Sequence, residues 1–184
     1  VVGGIVLYVA PENTALIPLY DCSVEDVQIE GNGVAGVGGR IGSVANSEFA
    51  NIYSQGNTSA AFDTTATATV PVTWNYENDF RRLFLHANNT CYGLLVAGDW
   101  TQPNSGGRNT AFGRFDKVHV THKNGVAFLL HSCDDCVFVG CAASRISGGV
   151  GDSIYFNGTS DGSYRAALGN HFLGFNGQGP IRAV

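Results

Sequence analysis

Asp134 and Asp135 stand side by side, with Asp152 further along the chain. Paired carboxyls are the equipment of glycoside hydrolysis: one ionises while the other is held protonated, at separations of ~5 to 9.5 Å across a sugar ring. Adjacent residues of a strand face opposite ways. Asp134 and Asp135 therefore converge on one sugar only if they occupy a turn, with Asp152 stacked near them from the next repeat. These three are the catalytic candidates. The same residues also read as solvated turn positions, since Asp is a common turn former.

A second constellation is His131, Cys133, Cys136 and Cys141, preceded by His119 and His122. Imidazole and thiolate are zinc ligands, but a structural zinc site draws paired ligands from two separated knuckles, and only Cys133 and Cys136 form a CxxC. No metal site is assigned. Small Cys, Ser and Asn side chains stacking in ladders inside a repetitive core account for the thiols more simply. The five cysteines, an odd number, do not match a small disulfide scaffold.

Aromatic faces offer a third chemistry, because a sugar ring can lay its apolar face on them. Trp74, Tyr76, Trp100 and Tyr164 lie in or beside predicted loops, and Arg108, Asp79, Asp99 and Asp161 are near enough in sequence to supply hydrogen bonds. Trp74, Tyr76, Trp100, Arg108 and Tyr164 are the carbohydrate-binding candidates. Packing over a strand is the competing role for each.

These residues need a frame. The 184 residues are 44% hydrophobic and 14% charged, so the chain is apolar enough to bury a core. Its 25 glycines, with abundant Asn, Ser and Thr, describe a chain that turns often. The net charge of −5 offers no basic stripe for a phosphate backbone, so nucleic acid is not an expected partner. No apolar run approaches the ~20 residues that cross a bilayer as a helix, and the glycine-broken start at Val1 reads as a buried strand. Val1 as first residue and the lack of any Met suggest a segment of a longer chain.

Internal repetition organises the sequence: a short alternating strand, an Asn or Gly turn, then a second apolar strand. Val27 and Ile29 run into Gly31, Asn32 and Gly33. Leu83 and Leu85 run into Asn88 and Asn89, then the apolar stretch Gly93 to Val96, and Val118 and Val120 precede Asn124 and Gly125. Weaker copies fall at Ile52, Val137 and Phe172. With Val27, Ile52, Leu83, Val118, Val137 and Phe172 as equivalents, the spacings are 25, 31, 35, 19 and 35 residues. Propeller blades and leucine-rich repeats hold a near-constant length, whereas a β-solenoid lap tolerates insertions while its strands stay stacked. Thr101 to Asn109 and Ser147 to Asp152 read as projecting loops, and Thr64 to Trp74 as an exposed strand or hairpin kept off a central ladder by Pro71. No amphipathic helical period persists.

The stretch Val6 to Gly33, with PENTALIPLYDCSVEDVQIEGNG, resembles the opening coil of pectin-lyase-like right-handed β-helix proteins. CDDCVFVGCAASRISGGVGDSIYFNG, at Cys133 to Gly158, resembles an interior coil. Asp134, Asp135 and Cys136 resemble the paired-aspartate motif of polygalacturonases, and Arg145 with Ile146 their later Arg-Ile. The intervening Gly-His-Gly and the preceding Asn-Thr-Asp are missing, and the pectate-lyase arrangement of arginine and calcium-binding aspartates has no counterpart.

The expectation is an all-β, right-handed parallel β-helix of about six coils with irregular loop insertions, one domain over 1–184. The resemblance is closest to phage tail spike and fibre segments and implies a structural, receptor-binding role on cell-surface polysaccharide. It also implies a homotrimer or contacts with other virion proteins, on the virion tail or in an extracellular setting, with no cofactor and no membrane insertion. The alternatives are a polysaccharide lyase or glycoside hydrolase of that superfamily, and a non-catalytic bacterial adhesin; catalysis is not the favoured reading.

Overall fold

The computed structural model describes residues 4–10, 19–64, 75–87, 91–97, 110–131, 133–156 and 169–183. Among them every element is a strand or turn, and every strand pairing is parallel. The strands form three sheets, and the chain visits these in a fixed order, so that each circuit lays one lap upon the last.

The seven-stranded sheet takes one strand per lap: Ile5–Val9, Val37–Ile41, Ala60–Asp63, Tyr92–Ala97, Phe128–His131, Ile154–Phe156 and Ile181–Ala183. The five-stranded sheet holds Leu19–Tyr20, Val44–Ala45, Asn75–Tyr76, Thr110–Ala111 and Cys133–Asp134. The ten-stranded sheet begins with two long strands, Ser23–Glu30 and Glu48–Gln55. On later laps it continues as two columns of short ones: Asp79–Arg81 and Phe84–Ala87, Arg114–Asp116 and His119–His122, Val137–Val139 and Ala142–Arg145, His171–Leu173 and Asn176–Gly177. The result is a β-helix-like solenoid.

Two columns of left-handed residues make the bends. Between the five- and ten-stranded sheets they are Asp21, Asn46, Glu77, Phe112, Asp135 and Gly169, with φ from 48° to 64°. Within the ten-stranded sheet they are Asp26, Asn51, Arg82, Lys117, Gly140 and Gly174, with φ from 52° to 68°. Asp, Asn and Gly tolerate this conformation best. Stacked corners also bond to one another: Asn46 Nδ2 donates to Asp21 Oδ1 at 2.5 Å and Asn51 Nδ2 to Asp26 Oδ1 at 2.9 Å.

Inside the laps a single file of rings runs along the axis. Phe49, Phe80, Phe115, Phe138 and Phe172 stack at centroid distances of 5.3, 4.6, 4.7 and 4.5 Å, with planes within 15° of parallel. Phe62 and Phe128 meet this file edge-on from the seven-stranded sheet. The next inward column is Val27, Ile52, Leu83, Val118, Cys141 and Phe175, one position before or within the observed register. Val137 instead pairs with Arg114 and His171, and Phe172 with Phe138. The equivalence drawn from sequence is therefore correct through Val118 and belongs to Cys141 and Phe175 beyond it. Thr64 is buried, and residues 65–74, the rest of the segment read as an exposed strand or hairpin, lie outside the described residues, as does the loop 101–109. Residues 147–152 form a loop as expected.

Cys91, Cys133, Cys136 and Cys141 are buried, Cys22 is half-buried, and no disulfide joins them. Burial pushes the Cys136 thiol up to about 12 and the Cys141 thiol to about 11, and raises Cys133 further. These thiols are core groups that stay protonated at neutral pH. Among the described residues no group of three or more His, Cys, Asp or Glu is placed to hold a metal ion, and no helix is long and apolar enough to cross a membrane.

His122 is fully buried at the bend leading to the seven-stranded sheet, its Nδ1 3.2 Å from the carbonyl oxygen of Gly125, which requires Nδ1 to carry the proton. Burial lowers its pKa below 6.5, and Arg145 adds to this while the Gly125 and Gln178 backbone and Asp152 oppose it. The folded pKa lies below the unfolded one, so the unfolded chain binds the proton first as pH falls. Stability is then lost from about pH 6.5 downward and is unaffected above it. Urea midpoints at pH 7.5 and 5.5 should fall further for the wild type than for His122→Gln; an equal fall would show that His122 carries none of the acid sensitivity.

Candidate functional site

An open groove of about 510 Å3 runs along the outside of the bend between the five- and ten-stranded sheets. Its construction follows from the lap repeat. Asp21, Asn46, Glu77 and Phe112 supply the left-handed corner, Cys22, Ser47 and Asn78 the next position, and Ser23, Glu48, Asp79 and Arg114 the start of the following strands. The side chains alternate in and out as the strands begin. Asn78 turns inward, 2% exposed, and its neighbours Glu77 and Asp79 line the groove.

Charges in the groove are mutually arranged. Arg81 lies 3.2 Å from Glu48 and 3.1 Å from Asp79, and Arg114 Nε is 3.9 Å from Asp79 Oδ1. The partners are a third or more exposed, so each pair contributes ~0 to 1 kcal/mol at most; their role is to hold donors and acceptors in place. Asp79 Oδ1 is shielded from water and accepts no hydrogen bond. One lap position before the corner, Tyr20 and Tyr76 meet edge-on across the small Ala45, with rings 6.3 Å apart and hydroxyls at 2.8 Å. That hydroxyl contact, then burial, pushes the Tyr76 phenol up to about 12, so it stays neutral in physiological conditions.

Of the carbohydrate-binding candidates, Tyr76 is thus brought next to the groove, immediately before its corner residue Glu77, and the proposed hydrogen-bonding partner Asp79 lies within it. Trp74, Trp100, Arg108 and Tyr164, like Asp99 and Asp161, lie outside the described residues.

The catalytic candidates are split between two bends. Asp134 ends the last strand of the five-stranded sheet, and Asp135 takes the left-handed corner position at φ 52°. The Asp135 carboxylate lies against Gly169 of the next lap, so closely that any side chain there would collide with it. Asp152 stands before the strand Ile154–Phe156, where Arg182 NH2 holds its Oδ2 at 2.6 Å and the same guanidinium covers the Tyr155 ring at 4.4 Å. Asp152 O bonds to Ala127 N, ahead of the strand Phe128–His131, and Asp134 lies beyond that strand's far end. At ~3.3 Å per residue the strand alone spans more than the ~9.5 Å within which two carboxyls share a sugar. The structure brings Asp134 and Asp135 together in a turn and leaves Asp152 apart.

Sequence reasoning missed Asp21, Asn46, Glu48, Glu77, Arg81, Phe112 and Arg114. The signal that finds all of them except Arg81 is a short repeat, Asp21-Cys22-Ser23-Val24, Asn46-Ser47-Glu48-Phe49, Glu77-Asn78-Asp79-Phe80 and Phe112-Gly113-Arg114-Phe115, in which a corner residue and a small one precede the inward aromatic or Val. No family model matches the chain, and no curated protein or solved structure matches it.

Proposed function

We propose that the chain is a stretch of right-handed parallel β-helix serving as a structural, receptor-binding segment of a virus tail spike or fibre, with cell-surface polysaccharide as its target. Right-handed winding is supported by chain chirality: a connection between parallel strands of one sheet is right-handed in ~98% of cases. The observation that carries the binding role is the corner groove, in which carboxylates, guanidinium groups and an exposed aromatic are fixed on a rigid stack of laps. Such groups match the hydroxyls and apolar faces of sugars, and an elongated scaffold can present them to a repeating polymer.

On this reading the protein assembles as a homotrimer. Light scattering should give three times the 19.4 kDa chain mass, and immobilised capsular polysaccharide should retain the protein without releasing reducing or unsaturated ends. A monomer that liberates such ends would turn the reading to a lyase or hydrolase.

A further inference from the structure

We propose that Phe112 is the stacking platform of the corner groove, and that the groove takes a hexose carrying no carboxylate, either neutral or amine-bearing; this rests on the polysaccharide-binding reading above. Phe112 is the one apolar side chain among the non-glycine residues of this corner column. Asp21, Asn46, Asp135 and Gly169 are of the types that enter the left-handed region readily; Glu77 at φ 54° and Phe112 at φ 53° are not, and of these two only Phe112 carries a ring. Burial does not compensate, because Phe112 is 59% exposed. Glu77, Arg82 and Lys117 are also exposed at left-handed corners, but Phe112 alone among these places an apolar ring on the rim of a polar groove, where its face is open to a ligand.

The surroundings specify the use. Phe112 borders a groove whose other walls are polar, so one face of a bound ring can meet the aromatic surface while its rim meets hydrogen-bonding groups. A pyranose has that division, with axial C–H groups on its faces and hydroxyls at its edge, and the negative face of an aromatic ring attracts the slightly positive C–H bonds. The carboxylates of Glu48 and Glu77 in the lining are acceptors for such hydroxyls. Asp21, Glu48, Glu77 and Asp79 outnumber Arg81 and Arg114 in the lining, so a uronic acid would enter against net negative charge, and a neutral or amine-bearing sugar would not.

Phe112→Gly separates this role from a structural one, since glycine suits the backbone and removes the ring. Its thermal midpoint should rise, by roughly 2–4 °C. Retention on dextran and on chitosan oligosaccharide should fall about tenfold, the scale on which removing an aromatic stacking partner acts. Phe112→Trp should restore retention, and oligogalacturonate should be retained by neither. A lowered midpoint would make Phe112 a packing residue and overturn the proposal. So would unchanged retention in Phe112→Gly, a preference for oligogalacturonate, or a changed assembly mass in place of changed retention. Wild-type protein retained by no glycan would remove the polysaccharide reading itself, whereas wild type and Phe112→Gly retained equally would remove the platform alone.

Discussion

Phe115→Ala should lower the free energy of unfolding by about 4 kcal/mol, the upper part of the range for deleting a buried aromatic. Phe115 is fully buried and sandwiched between Phe80 at 4.6 Å and Phe138 at 4.7 Å. Its loss removes two stacking contacts, each worth ~0.5–1.5 kcal/mol beyond area burial. The gap cannot close by sliding the neighbouring rings together, because backbone hydrogen bonds fix the laps about 4.8 Å apart. A stack in which each lap touches only its neighbours should also lose cooperativity when a central lap is weakened. The urea transition is therefore expected to broaden or split. Phe84→Ala is the control: that ring stands 46% exposed on the outer face, and its removal should change stability by no more than about 0.5 kcal/mol. Equal effects of the two substitutions would show that the ring file does not hold the laps together.

The ring file is not legible in the sequence, but the inward column beside it is, as far as Val118. Alternating apolar residues locate Val27, Ile52, Leu83 and Val118 correctly because each is a branched aliphatic residue in the same inward column. On the next lap that position is Cys141, a small thiol that hydropathy alone does not single out, and the nearest apolar alternation points to Val137 instead. On the lap after, it points to Phe172 in place of Phe175. A pattern anchored three residues earlier, on the aromatic following each small residue, would have kept the register through Phe138 and Phe172. The parallel pairing was legible because unequal insertions are compatible with stacked laps and with little else.

The groove was hidden for a different reason. Its residues come from four laps, so Asp21, Glu48, Asp79 and Arg114 are neighbours only once the register is known. Tryptophans beside predicted loops are the more conspicuous signal in sequence. Phe112 gave no signal as a single residue; its significance comes from its φ and from the corner residues stacked beside it. Similarly, Asp134, Asp135 and Asp152 look like one acidic set in sequence. Only the strand between them shows that Asp152 belongs to another edge and is engaged by Arg182.

Asn78→Ala should cost about 3 kcal/mol, close to the effect of a core truncation although the side chain is polar. Asn78 is 2% exposed; its Oδ1 accepts from Ser47 N at 3.0 Å and its Nδ2 donates to Val44 O at 2.8 Å, tying one lap to the bend of the lap before. Asn170 repeats the arrangement on Cys136 N and Cys133 O. Alanine leaves both backbone groups buried without partners, at ~1–3 kcal/mol each. Asn78→Asp tests the cause, because it preserves volume and keeps the acceptor for Ser47 N but turns a second oxygen toward Val44 O. Ionised, that oxygen repels the carbonyl; protonated, it donates to it. Relative to wild type at the same pH, Asn78→Asp should therefore be markedly destabilised at pH 7.5 and less so at pH 4.5, while the deficit of Asn78→Ala stays constant. A deficit in Asn78→Asp that does not shrink on acidification would mean that shape, and not the donated bond to Val44, holds the bend.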